Sequence, residues 1–217
     1  MSGKNPQTPP APLTAEPTDF TTSTDPLWRI HRTTGAYRQR WDEMRTVGPL
    51  VQMRWDPHHL PHREEPPPAR AVAYTAADVL TAFGETFQAR RRIVLSEHQA
   101  LVSWVPTRPL RLLNLLPPTS PTGTSWALRN GASASLDSAP KSTCRAWARS
   151  IADTWPDLDG IHVRSTVTGQ PMVTLFTPAA TAYPVDPAYS RRLDDTAVAA
   201  IAVHVATTLN WTPPVRD

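Results

Sequence analysis

Between Arg70 and Gln88 the chain reads RAVAYTAADVLTAFGETFQ, and the spacing of its apolar residues changes halfway. Ala71, Val72, Ala73 and Tyr74 form a short apolar run of the length of a buried strand. Leu80, Phe83 and Phe87 then recur three and four apart among good helix formers, which predicts a helix with one apolar stripe. Glu85 falls on the far side of that stripe, in line with Ala77 and Thr81. A carboxylate at the end of a lane of small residues leaves room for a group to approach it. The same spacing also describes an ordinary solvated glutamate.

The same two periodicities divide the rest of the chain. Leu27-Trp28-Arg29-Ile30-His31 alternates and predicts a strand. Val51-Gln52-Met53-Arg54-Trp55 alternates again, which would set Arg54 opposite Met53 and Trp55. Between them, GAYRQRWDEMRT is polar and arginine-rich, a helical turn or an ordered loop. Ala100–Val105 and Leu110–Leu116 are further strand candidates. Gly160–Ser165 and Pro171–Phe176 read as a hairpin around Thr168-Gly169. Helical spacing runs through Ala146, Trp147, Ser150 and Ile151 of the segment Lys141–Thr154, stopped by Pro156. A last helix is capped by Asp194 or Asp195 and carries Val198, Ile201, Ala202 and Val205. The segment PPTSPTGTSWALRNGASASLDS is turn-rich and predicts loop with a short helix. Strands outnumber helices and are interleaved with them, so the expected class is α+β, one domain around a central mixed or antiparallel split sheet.

Composition sets the limits of this domain. The 217 residues suit a single core, and 40% hydrophobic content argues against global disorder. The 25 prolines against 8 glycines predict many rigid turns. Proline and threonine dominate residues 1–24, which read as a disordered tail outside a folded domain at 25–217. A net charge of +3 suits an anionic small molecule but does not make a nucleic-acid binder. The single cysteine, Cys144, excludes an internal disulfide and reads as a small buried helix residue. With no secretory h-region and no membrane-length apolar run, a cytoplasmic protein without membrane contact is expected.

The loop DPHHLPHREEPPPA gathers His58, His59 and His62, but Pro57 and Pro61 break any helical ligand spacing, so no metal site is expected. Arg90-Arg91-Arg92 closes the predicted helix, either as cations complementing its dipole or as a phosphate-binding lip. The common nucleotide and hydrolase fingerprints are absent. What remains is an ordered set: Arg29, Arg54, Tyr74, Glu85 and Ser165.

The blocks LWRIH, QMRWDP, AVAYTAADVLTAFGETF, LRLLNL and GIHVRST resemble, in order, those of the RES domain family, named for arginine, glutamate and serine. The resemblance spans Pro26 to Leu209 and implies a fold related to ADP-ribosyltransferases and an activity that consumes NAD as substrate, with no further cofactor. By position, Arg54, Tyr74 and Glu85 match the family's active-site arginine, tyrosine and glutamate. Arg29 and Ser165 match its other polar positions and are expected to bind substrate. Met53 stands where the family often has glycine, and the histidine- and proline-rich insertion separates Arg54 from Tyr74. Many RES proteins are bacterial toxins held inactive by an antitoxin with a helix-turn-helix (Xre-type) domain; such an antitoxin and a second copy of the chain are the implied protein partners.

The chemistry fits those residue types. Breaking the nicotinamide–ribose bond passes through an oxocarbenium-like state, as glycoside hydrolysis does. Nicotinamide leaves NAD as a neutral base, so one carboxylate near the ribose can suffice. Tyr74 offers an aromatic face to the pyridinium, and arginine forks suit a pyrophosphate. The expected function is a glycohydrolase or phosphorylase acting as a toxin or defence effector, with water, phosphate or a macromolecule as acceptor. The alternatives are an ADP-ribosyltransferase acting on a macromolecule and a non-catalytic binding protein on the same fold.

Overall fold

The structure, a computed structural model, describes residues 4–67, 69–117 and 123–217. Its strands are β1 (Phe20–Ser23), β2 (Leu27–Arg32), β3 (Val47–Gly48), β4 (Arg63–Glu64), β5 (Val72–Ala76) and β6 (Arg92–Leu95), followed by β7 (Gln99–Trp104), β8 (Leu110–Asn114), β9 (Gly160–Arg164), β10 (Pro171–Phe176), β11 (Tyr189–Arg192) and β12 (Thr212–Arg216). The helices are α1 (Val79–Phe87), α2 (Trp126–Arg129), α3 (Lys141–Thr154) and α4 (Thr196–Thr208). Asp78 caps α1 by accepting from Thr81 N at 2.7 Å, and Asp195 caps α4 by accepting from Ala197 N at 2.8 Å.

Eight strands form one sheet in the order β1-β8-β9-β10-β5-β2-β7-β11. Only β8 and β9 run parallel, so the sheet is mixed and the class is α+β, as the pattern predicts. The sheet splits in the middle. β2 pairs with β7 along its full length, but with β5 through Trp28 and Ala76 alone. Beyond that joint the chain segment before β3 moves in, and Arg45 exchanges two backbone hydrogen bonds of 2.9 Å with Val72.

Register assigns the faces. Trp28 lies opposite Ala76, which shares a face with Tyr74. On that face, α3 packs over the β8–β10 half with Leu113, Ile161, Val163, Met172 and Phe176. α1 and α4 pack over the other half with Phe83, Phe87, Leu101 and Val198. Tyr74 stands near the boundary between the two packed layers. The opposite face carries Leu27, Ala73, Val102, Leu112, Val173 and Leu175.

Two sequence expectations are corrected here. Residues 51–55 are turns and bends, not a strand. Met53 N bonds back to Leu50 O at 3.0 Å, and the carbonyls of Val51 and Met53 accept from Arg145 at 2.7 and 3.0 Å. A side chain from α3 takes the groups that a ladder would have needed. The second correction concerns residues 1–24. Residues 1–3 lie outside the described residues, but the rest is no loose tail. β1 forms the edge of the large sheet against β8. Ahead of it, Leu13 enters the core at 8% exposure. Trp147 Nε1 donates to Pro6 O at 3.1 Å and Trp126 Nε1 to Thr14 O at 2.9 Å. Those partners lie more than a hundred residues away, where local composition carries no signal. In the turn-rich segment before α3 the short helix is α2, while residues 118–122 lie outside the described residues.

Candidate functional site

Glu85 and Ser165, 80 residues apart, meet in the fold: Ser165 Oγ donates to Glu85 Oε1 at 2.6 Å. The contact follows from how α1 sits on the β9–β10 connection. A β-carbon on Gly84 would stand 3.3 Å from both Val167 and Thr168, so α1 approaches the connection through the one residue that has none. Thr81 Oγ1 and Thr168 Oγ1 bond at 2.8 Å one turn earlier. Ser165 also accepts from Val167 N and Thr168 N, each at 3.1 Å. Its one hydrogen goes to Glu85 and its lone pairs to the turn, so the hydroxyl orients the carboxylate and is not free to attack. Gln88 Nε2 donates to the other carboxylate oxygen at 3.0 Å. Glu85 is half-buried, held at both oxygens by neutral donors, with lone pairs left for a substrate hydroxyl.

Gln88, which holds this carboxylate, lines a half-open cleft of about 370 Å³ together with Arg91, Thr166, Val167, Leu209 and Trp211. In the residue before Ser165, Arg164 Nε bonds Asp137 Oδ2 at 2.8 Å. Asp137 sits on a short 3-10 turn, Leu136–Ser138, and the carbonyl of the next residue, Ala139, accepts from Arg54. Arg54 is thus tied to the turn that carries Asp137 and lines no part of the cleft beside Glu85. Its guanidinium is engaged by Ala139 O and lies 3.7 Å from Cys144 Sγ, and none of its hydrogen bonds among the described residues goes to Tyr74 or Glu85. Burial pushes the Cys144 thiol up, which marks it as the inert packing residue the sequence suggests.

Tyr74 packs against the α3 side of the core, and its hydroxyl is enclosed with no hydrogen-bond partner among the described residues. Burial, and then the Asp56 carboxylate, push this phenol well above its usual range, so it is a neutral donor. The charges around it come from residues the sequence reading passed over. Asp56, wholly buried, accepts from Arg45 at 2.6 Å, from Leu50 N at 2.8 Å and from His58 Nδ1 at 2.6 Å. Burial alone would raise the Asp56 carboxyl, but those donors together hold it far below the usual carboxylate range. The spacing Asp-Pro-His, which returns a side chain to an acidic neighbour two residues back, was the available signal. His58 is thus a buried partner of Asp56, while His59 lies near Glu65 and Asp153. Among the described residues no group of three or more histidines, cysteines and carboxylates is placed to hold a metal ion.

Arg29 stands apart from the others. It shares a face with Leu27, opposite Trp28, and is 8% exposed. Its guanidinium donates to Glu43 O at 2.8 Å, to Gln39 Oε1 at 2.7 Å and to Trp41 O at 3.5 Å. Burial lowers its pKa, which the nearby Tyr183 and Glu43 oppose. Arg29 fastens the segment that enters the split in the sheet. The structure therefore joins Glu85 to Ser165, ties Arg54 to the turn after Asp137 and not to Glu85, sets Tyr74 on one sheet face, and leaves Arg29 on the other.

No curated protein is significantly similar in sequence. A chain of the crystal structure of the M. tuberculosis MbcT-MbcA toxin-antitoxin complex has the same fold, with a TM-score of 0.52 at 15% identity, covering 87% of this chain and 92% of that one. The sequence model described as RES domain matches residues 26–194, from just before β2 to just before α4. The chain, with Glu85 hydrogen-bonded to Ser165 beside an open cleft, belongs to the RES domain family.

Proposed function

We propose that this protein consumes NAD by cleaving its nicotinamide–ribose bond, as the toxic member of a pair with an antitoxin. The observation that carries the reading is the Glu85 carboxylate, oriented through one oxygen by Ser165 and through the other by Gln88, at the edge of the cleft. In the reaction the bond between ribose C1′ and the nicotinamide nitrogen breaks, and its electron pair neutralises the pyridinium. The positive charge that develops on the ribose is stabilised by the fixed carboxylate, and the acceptor then adds at C1′. Ser165 acts as a positioning residue, because all its hydrogen-bonding capacity is already committed. Tyr74, a neutral phenol enclosed in the core, does not suit proton removal.

The fold shared with a chain of a toxin-antitoxin complex supports control by a partner protein; in this reading the partner is a helix-turn-helix antitoxin. The test is incubation of the purified chain with NAD, with and without phosphate, separating nicotinamide, ADP-ribose and ADP-ribose 1″-phosphate. Nicotinamide release is expected. ADP-ribose identifies water as acceptor, and the phosphorylated product identifies phosphate. Intact NAD after prolonged incubation with folded protein contradicts the proposal.

A further inference from the structure

α1 is followed by a turn in which Arg91 adopts φ 47°, a left-handed conformation unfavourable for a non-glycine residue. The strain is held by the C-terminal segment. Arg91 O accepts from Thr212 N at 3.3 Å and from Thr212 Oγ1 at 3.1 Å, while Arg92 Nε donates to the same hydroxyl at 3.0 Å. Arg91 N bonds to Phe87 O at 2.9 Å, fixing the residue to the end of α1. Its side chain is exposed, and its guanidinium takes part in none of the ion pairs among the described residues. Beside Thr212, the half-buried indole of Trp211 rests on the edge of the α1–α4 core.

Arg91 and Trp211 thus form one wall of the cleft that borders Glu85. Gln88, which also lines it, holds one oxygen of the carboxylate, and Thr166 follows Ser165, which holds the other. We infer that this cleft receives the adenine-nucleotide half of NAD, with Trp211 stacking on the base and Arg91 pairing with the pyrophosphate. The inference rests on the reading that Glu85 acts at the nicotinamide ribose. An aromatic plane beside an unpaired guanidinium is the combination a nucleotide requires, one for the base and one for the phosphate. The volume lies near the lower end of the roughly 300–1,000 Å³ of small-ligand sites, enough for half of a dinucleotide. Arg91 lies within the residues that match the family and Trp211 beyond them.

The test titrates the full chain with AMP, ribose 5-phosphate and inorganic phosphate by calorimetry, and measures NAD turnover beside it. The variants are Arg91→Gly, which relieves the left-handed backbone while removing the fork, and Trp211→Ala with Trp211→Phe. Wild type is expected to bind AMP more tightly than ribose 5-phosphate or phosphate. Trp211→Ala should weaken AMP about five- to a hundredfold, with Trp211→Phe recovering part of the loss. Arg91→Gly should weaken AMP and raise KM for NAD with little change in kcat. If Trp211→Ala does not fold, Arg91→Gly and Trp211→Phe decide the matter. AMP affinity and KM unchanged in the folded variants, or phosphate bound as tightly as AMP, overturns the inference and leaves the proposed reaction standing. AMP binding lost in the variants of a protein that leaves NAD intact keeps the nucleotide site and overturns the reaction.

Discussion

Ser165 spends one hydroxyl on three partners, and each bond has a different consequence. The two N–H groups it caps hold the β9–β10 turn, while the 2.6 Å bond to Glu85 sets the carboxylate's direction. Ser165→Ala should therefore cost turnover as well as some stability. A hydrogen bond to a charged group contributes about 1.5–3 kcal/mol, so kcat should fall by about one to two powers of ten while KM moves less. Steady-state kinetics beside a thermal melt separates the two effects; an unchanged kcat in a folded variant removes Ser165 from the positioning role. Arg29 predicts the opposite profile. Its guanidinium bonds Glu43 O and Gln39 Oε1, so Arg29→Met should leave neutral acceptors unsatisfied and cost about 1–3 kcal/mol of stability. A melt within a degree or two of wild type, with KM raised, would instead return Arg29 to the substrate.

At the scale of elements, the strand–helix unit around Tyr74 and Glu85 was legible because its periodicity is local: a buried run, a cap at Asp78 and a stripe through Phe83 and Phe87. β11 was not legible, because Tyr189–Arg192 is an edge strand with little buried, and nothing in it alternates. Residues 51–55 alternate without forming a strand, since Arg145 captures their carbonyls. The meeting of Glu85 with Ser165 has no local signal either; only the order of the family's blocks pointed to it. The N-terminal segment gives the clearest prediction. Deleting residues 1–23 removes an edge strand, the buried Leu13 and the acceptors of two tryptophan N–H groups. Leu13 alone is worth about 1.5–3 kcal/mol. The truncated chain should melt well below the full chain in calorimetry, and an unchanged midpoint would show that the segment packs without stabilising the domain.

For the whole molecule, acidity acts through two half-buried histidines. Burial lowers His31 and His162, against raising contributions from the Gln39 carbonyl and from Asp25 respectively. A histidine lowered in the fold stays neutral while the unfolded chain, near 6.5, takes up a proton. Both states are neutral above that value, so stability should be flat there and fall as pH drops from about 6.5 toward the lowered folded values. Melts between pH 8 and pH 5 should show this slope, and it should shrink in His31→Gln and His162→Gln. Equal slopes in wild type and both variants would assign the acid sensitivity elsewhere. No described helix is long and apolar enough to cross a membrane. Among the described residues, β1 joins the large sheet and β12 pairs with β6, so segments before and after the matched residues pack onto the domain they build.

The account centres on one carboxylate, and Glu85→Gln tests it most directly. Glutamine preserves the shape and can still accept from Ser165, while removing the charge that would stabilise the ribose cation. NAD turnover by this variant, followed as nicotinamide release beside a melt of the same sample, should fall by a factor of about 10² to 10³ with the fold intact. A folded Glu85→Gln protein releasing nicotinamide at the wild-type rate would contradict the account and leave Glu85 an ordinary helix residue.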